Sequence, residues 1–123
     1  MQRGNYCYKF LPEKVPRATA AQNCLDIGAI LAEPRTPDEN TAVAEVGAGD
    51  DNTFWIGLTS SGDNNGPWTW DSDAQTAVWT NWYPGQPDEN DVCVYVSGAS
   101  WRDLSCTRYI IPAVCQGRWF QRV

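Results

Sequence analysis

The sequence predicts an α+β domain that is stabilised by disulfides and contains a long irregular loop. Two segments in the first half carry helix signals, and short strand-like segments occur towards both ends of the chain. The five cysteines include no C-x-x-C pair and the chain has no histidine, so disulfides are favoured over a zinc site. With 123 residues, positions 1–123 are predicted to form a single domain.

The first strand and the first helix follow from local signals. Residues 5–10 alternate aromatic and polar side chains, which is typical of a strand. Pro16 suits the first turn of a helix, and Gly28 is expected to end it. The residues predicted to share its buried face are Ala18, Ala21, Cys24 and Leu25.

The second helix has a clear N-terminal signal. After a short predicted strand at residues 29–32, Thr36 provides an N-cap, Pro37 the first helical position and Glu39 a capping-box partner. The residues predicted to form its buried stripe are Ala42, Val43 and Val46. Residues 47–49 are expected to stop the helix, because two of the three are glycine.

The second half contains three strand-like segments around one long loop. Residues 54–58 form a short apolar run, and residues 92–96 and 110–115 also have strand character. Residues 59–92 contain few aliphatic side chains and many Gly, Pro, Asn, Asp and Trp residues. Because a loop of this length is uncommon in a compact domain, we expect it to be functional.

The charge distribution excludes some classes of partner. Between Arg35 and Arg102 there is no lysine or arginine, whereas the same stretch contains eleven acids. This field repels phosphate backbones, so we expect no nucleic-acid binding. No apolar run approaches 18 residues, so we expect no membrane insertion. The cysteines predict a secreted protein, produced after removal of a leader.

Oxygen-rich side chains are concentrated just before one cysteine. Residues 86–91 read Gln-Pro-Asp-Glu-Asn-Asp, and Asp103 precedes the next cysteine in the chain. Calcium prefers six to eight oxygen ligands, which these side chains could supply. The pattern predicts a metal and ligand site, although Arg102 is unsuited to it.

Four features of the chain occur together in a fixed order: Trp55-Ile56-Gly57-Leu58, Gln86-Pro87-Asp88, Trp101-x-Asp103-x-x-Cys106 and the frame of Cys24, Cys93, Cys106 and Cys115. In this combination of motifs the chain resembles the C-type lectin-like domain over essentially its whole length. The resemblance implies two helices flanking small antiparallel sheets, with a long irregular ligand-binding loop.

The resemblance also implies how the cysteines pair, which counting alone leaves open among fifteen arrangements of two bridges. It implies the bridges Cys24–Cys115 and Cys93–Cys106. Cys7 matches a cysteine whose partner lies slightly upstream in related long-form domains. That partner is missing, through truncation or because Cys7 bonds another subunit, so a disulfide-linked or non-covalent oligomer through Cys7 is a hypothesis.

The resemblance further implies a Ca²⁺-dependent carbohydrate site. Gln86 and Asp88 would each give one oxygen to the ion, and their remaining groups would hydrogen-bond two vicinal sugar hydroxyls. The peptide before Pro87 would be cis. In the family, an amide at the first position and a carboxylate at the third, here Gln86 and Asp88, accompany binding of galactose-type glycans. The predicted protein is therefore a secreted lectin, with microbial-glycan recognition in innate immunity as an expected role.

The remaining ligands implied by the resemblance are carboxylates. Asp91 is expected to supply a third carboxylate, with Glu89 as its substitute, and Asp103 would give a side-chain and a main-chain oxygen. Together with two sugar hydroxyls these make seven oxygens, within the range for Ca²⁺. The sugar's apolar face would stack on Tyr83, Trp82 or Tyr95, whereas Trp101 is expected to be structural.

Arg102 stands where the family usually has a ligating asparagine. A guanidinium about 5 Å from the ion would cost about 6–7 kcal/mol at an effective dielectric constant near 20. The side chain could swing to solvent. Alternatively it could pair with Asp88 or Asp91 and replace the ion.

Two other function classes are alternatives to the lectin. One is a Ca²⁺-independent domain of the same fold that binds a protein, a mineral or an ice surface. The other is an enzyme, which the sequence argues against because a chain without histidine cannot form a Ser-His-Asp triad. We therefore expect a binding domain.

Overall fold

The predicted α+β class is confirmed by the computed structural model, which describes residues 2–3, 6–47, 52–62, 66–88 and 91–118. Its elements, in chain order, are β1 (Gln2–Arg3), β2 (Tyr6–Val15), α1 (Arg17–Asp26), β3 (Ile30–Leu31), α2 (Pro37–Val46), β4 (Thr53–Ser60), β5 (Trp68–Trp70), β6 (Cys93–Ser97), β7 (Ser100–Leu104) and β8 (Ile111–Gly117). No helix in the described part of the chain is long and apolar enough to cross a membrane.

In the described residues the strands form one sheet of eight instead of the small antiparallel sheets that were expected. Its main order is β1-β2-β8-β4-β6-β7, with β3 paired to β8 and β5 paired to β4. The contact between β4 and β8, at Trp55 and Ala113, is parallel, and the other strand pairs are antiparallel. This central contact joins the strands of the chain ends to those beside the long loop.

Helix α1 buries a different face from the predicted one. Ala20 and Cys24 are buried, whereas Ala18 is exposed and Leu25 is 57% exposed. The disulfide fixes Cys24 against the sheet, and the residue four positions earlier shares its face in an α-helix. The predicted burial of Ala18 and Leu25 was therefore wrong, and that of Cys24 is confirmed.

Helix α2 begins as its sequence signal predicts. Thr36 Oγ1 accepts a hydrogen bond from the backbone N–H of Glu39 at 3.1 Å, and Pro37 occupies the first helical position. Glu39 Oε1 in turn accepts the backbone N–H of Arg35 at 2.9 Å. The first bond satisfies a backbone donor that a helix start leaves unpaired, and the second fixes the residue before the N-cap instead of the N-cap itself. The N-cap and Pro37 were therefore predicted correctly, and the Glu39 bond is displaced by one residue from a capping box.

Strand β7 was not predicted, and it carries the candidate site residue Asp103 next to Arg102. A two-residue turn joins it to β6, with φ values of 56° at Gly98 and 78° at Ala99. Positive φ at both central positions is typical of a type I′ hairpin turn. The hairpin brings residues 100–104 back along β6 in a fixed register.

Two disulfides tie the fold together, as the resemblance implied. Cys24 in α1 is bonded to Cys115 in β8, and Cys93 in β6 is bonded to Cys106 just after β7. Chain-entropy arithmetic gives upper limits of about 4.6 and about 2.9 kcal/mol for loops of these lengths. Cys7 is free and only 3% exposed, so a bond to another subunit would require β2 to open.

Candidate functional site

Trp101 is the structural centre of the region around the long loop. It is fully buried in β7, and its indole N–H donates to Asn40 Oδ1 of α2 at 2.9 Å. Three further tryptophan rings meet it edge-on at centroid distances of 5.6 to 6.0 Å, namely Trp70, Trp79 and Trp82. The expected structural role of Trp101 is confirmed, because a fully buried ring cannot contact a sugar.

The long loop is fastened to β7 by backbone hydrogen bonds. The N–H of Trp101 donates to the carbonyl of Asn81, and the N–H of Tyr83 donates to the carbonyl of Trp101, both at 2.9 Å. The Asn81 side chain also donates to the carbonyl of Ala99 at 2.6 Å. A segment without regular secondary structure is thereby held beside the strand that carries Arg102 and Asp103.

A tight turn leads from Tyr83 to Gln86. The N–H of Gln86 donates to the carbonyl of Tyr83 at 2.8 Å, and Gly85 has a φ of 90°. Proline followed by a residue of positive φ is the pattern of a type II turn, and Pro84 precedes Gly85. The peptide between Gln86 and Pro87 is cis, as the resemblance implied.

The Gln86 side chain presents a buried oxygen with no donor. Its Oε1 is buried and has no hydrogen-bond partner in the described part of the chain. Burying an amide oxygen without a partner costs free energy, so such groups usually face a cation, a water molecule or a ligand. The oxygen therefore marks a place where a partner of positive character would be stabilised.

Asp103 holds the other side of the loop through its carboxylate. The side chain is 1% exposed, and its Oδ1 and Oδ2 accept the backbone N–H groups of Asp88 at 2.9 Å and Asp91 at 3.1 Å. Hydrogen bonds to an ionised carboxylate are stronger than neutral ones. Asp103 thus anchors the segment that the sequence singled out at two points, residues 88 and 91, a structural role that was not predicted.

Arg102 adopts neither of the two arrangements that were expected. Its guanidinium carbon lies 4.1 Å from the centroid of the Tyr83 ring, which is a cation–π contact. Within the described residues it forms no ion pair with Asp88 or Asp91. Its Nε is buried and lacks a hydrogen-bond acceptor there.

Residues 13–117 match the sequence model of the Lectin C-type domain, which is most of the chain. The chain belongs to the C-type lectin domain family. Its sequence is similar to a lactose-binding lectin, l-2, of Anguilla japonica, at 28% identity over 94% of this chain and 74% of that protein.

Solved structures of the family share the fold. The carbohydrate-recognition domain of cow CD23, determined in the presence of a GlcNAc2Man3 oligosaccharide, has a TM-score of 0.82, with 25% identity over 95% of this chain and 91% of that one. A Ca²⁺-dependent type II antifreeze protein in its Ca²⁺-free form has a TM-score of 0.79, with 25% identity over 95% of each chain. The C-type lectin-like fold predicted from the sequence is therefore confirmed.

The donor groups of this lectin-type domain fit calcium in their chemistry. Gln86 supplies an orphaned buried oxygen, and the carboxylate of Asp103 lies within hydrogen-bonding distance of the loop. However, the described residues contain no group of three or more acidic, His or Cys side chains gathered for a metal, and Glu89 lies outside them.

Of the three aromatic residues predicted to stack on the sugar, Tyr83 is the most exposed to solvent. It is 45% exposed, whereas Trp82 and Tyr95 are half-buried and pack against the core. Trp82 also contacts Trp68 at a centroid distance of 5.0 Å. Only Tyr83 combines exposure with a position one turn before Gln86.

A second group of charges lies around the turn that follows β5. Asp71 forms an ion pair with Arg17, and Asp73 forms one with Arg35 at 3.0 Å. The hydrogen bond from Arg35 holds the pKa of the Asp73 carboxyl below its usual range. Arg35 also bonds the buried Glu33 at 2.7 Å, so these acids fasten the turn and are not gathered for a metal.

Proposed function

We propose that this domain is a secreted carbohydrate-binding lectin whose sugar site is the loop of residues 86–91 together with Asp103. The observation that carries the proposal is the buried, unpartnered Oε1 of Gln86 beside a loop that Asp103 anchors. The proposed ligand class is galactose-type glycans, with Ca²⁺ as the cofactor. The whole chain, residues 1–123, is proposed to act as one binding domain without catalysis.

Recognition is proposed to depend on polar side chains that the fold holds in place. Gln86 and Asp88 would hold the ion and contact the sugar, with Asp103 and either Asp91 or Glu89 completing the ligands. Bound calcium supplies open coordination positions for two vicinal hydroxyls. The side-chain amide of Gln86 donates to a hydroxyl, and the Asp88 carboxylate accepts from one. Tyr83 offers an exposed ring for the apolar face of the sugar.

The relatives support a glycan ligand and favour galactosides. The similar eel protein is described as lactose-binding, and lactose is a galactoside. The two disulfides support an extracellular location, because such bonds persist in oxidising compartments. A role in recognising microbial glycans in innate immunity remains part of the proposal. Since a few hydroxyls bury little surface, useful affinity would require several linked domains.

Calorimetric titration of Ca²⁺ into EDTA-treated protein tests the proposal, repeated with galactose and with mannose present. Binding of Ca²⁺ that galactose tightens more than mannose is the expected result. Asp88→Asn should abolish this coupling, whereas Asp38→Asn, an exposed acid at the start of α2, should leave it unchanged. Equal responses to the two sugars would overturn the galactose preference alone.

A second candidate function is a Ca²⁺-independent domain that binds a protein, a mineral or an ice surface. It is favoured by the absence of an acidic cluster in the described residues and by the way Asp103 holds the loop through backbone amides. Type II antifreeze proteins share this fold, so the fold is not restricted to lectins. No heat with Ca²⁺ and no response to either sugar would support this candidate over the lectin.

A further inference from the structure

Arg102 is an arginine whose charge lacks an anionic partner in the described structure. Arg17 and Arg35 are also half-buried, and each of them has at least one carboxylate partner. Arg102 instead rests on the Tyr83 ring, and its Nε is buried without an acceptor. A partly desolvated guanidinium is stabilised when a carboxylate, sulfate or phosphate approaches it, because its planar fork matches such groups.

The position of this charge relates it to the proposed sugar site. Arg102 rests on the ring of Tyr83. The backbone carbonyl of Tyr83 accepts a hydrogen bond from the N–H of Gln86 at 2.8 Å across a four-residue turn. The Cα atoms that begin and end such a turn are less than about 7 Å apart. Gln86 and Tyr83 are therefore neighbours, and the Arg102 guanidinium lies on the Tyr83 ring beside the proposed site.

We propose that Arg102 and Tyr83 form a contact for an acidic group, a carboxylate or a sulfate ester, on the glycan bound by the Gln86 loop. This inference rests on the proposed function, since it assigns the class of glycan that the same site prefers. Arg102 donates hydrogen bonds to the acidic group, and Tyr83 holds the guanidinium in a fixed orientation. Arg102 is thus a specificity-determining residue.

The acidic surroundings do not remove this preference. The segment between Arg35 and Arg102 contains no other cation and eleven acids, which repel an anionic ligand at long range. Exposed charges farther apart than about 8 Å are largely screened at physiological salt. A direct bidentate contact is screened much less, so it outweighs the repulsion once the glycan is bound.

Ligand-observed NMR titration with three soluble probes tests the contact, using galactose, galacturonic acid and galactose 6-sulfate. The native protein should bind at least one of the acidic sugars about tenfold more tightly than galactose, as expected for one charge-assisted hydrogen bond. The probe that gains affinity identifies the source of the charge. The preference should decrease as salt is raised, while galactose binding should not change.

Two arginine variants separate this contact from general charge effects. Arg102→Gln should remove the preference for the acidic sugar and leave galactose affinity within about twofold. Arg108→Gln removes the same charge from an exposed position after the second bridge and should keep the preference. Thermal unfolding of both variants shows whether the fold is intact. Arg102→Lys should recover only part of the preference, because a lysine lacks the planar fork and the stacking.

The outcomes for the inference and for the proposed function are distinct. Galactose binding without any preference for an acidic sugar overturns the Arg102 contact and leaves the lectin in place. A preference that survives in Arg102→Gln also overturns it. If none of the three sugars binds, the proposed function fails and the inference fails with it.

Discussion

Replacing Asp103 with asparagine should destabilise the domain even when no calcium is available. The carboxylate is buried and accepts the amides of Asp88 and Asp91 at 2.9 and 3.1 Å. Asparagine keeps one acceptor oxygen and presents an NH2 group to the other amide, so one bond is lost and the other loses its charge assistance.

The size of the effect follows from these two bonds. A hydrogen bond to a charged group contributes about 1.5–3 kcal/mol and a neutral one about 1 kcal/mol, so Asp103→Asn should cost about 3 kcal/mol. For a domain of this length that corresponds to a decrease in Tm of about 12 °C. Urea unfolding in EDTA, followed by tryptophan fluorescence, measures the loss at a constant m-value.

The matched control is Asp91→Asn. Asp91 contributes its backbone N–H to the contact with Asp103, and a side-chain substitution leaves that donor in place. Its stability in EDTA should stay within about 0.5 kcal/mol of the native protein. If Asp103→Asn is equally stable in EDTA, the carboxylate does not hold the loop and this reasoning is wrong.

Three further predictions concern the rest of the fold. Asn40→Ala should lower the free energy of urea unfolding by about 1–3 kcal/mol, because the buried Trp101 N–H loses its acceptor. An NMR pH titration should give a pKa for Asp73 below its usual range, and Arg35→Gln should raise it. Because the folded pKa is lowered, the stabilisation from this pair is present above about pH 4 and is lost as the pH falls through the folded value. The buried thiol of Cys7 should react with a thiol reagent only after unfolding, and fast reaction in the native protein would contradict its placement in the core.

The elements that the sequence predicted well are those whose signals are local. The start of α2 depends on Thr36, Pro37 and Glu39 alone, and the structure has it where it was expected. Strand β7 depends on a partner strand: its central Arg and Asp are poor strand formers, and the Gly98-Ala99 turn is a weak hairpin signal beside Asn-Gly. The short strand β5 inside the long loop was missed for the same reason, because its pairing with β4 is a tertiary contact.

Missing β7 also explains why the sequence left two arrangements open for Arg102. A guanidinium about 5 Å from the ion would cost about 6–7 kcal/mol, and without a strand assignment nothing fixed the direction of Arg102 relative to Asp103. In a strand, successive side chains point to opposite faces, and β7 alternates between buried and half-buried positions. The Asp103 carboxylate turns inward to the loop amides, whereas the Arg102 guanidinium lies on Tyr83. The pleat thereby directs the Arg102 guanidinium and the Asp103 carboxylate to opposite faces of β7, which is the arrangement that the proposed contact of Arg102 with an acidic glycan requires.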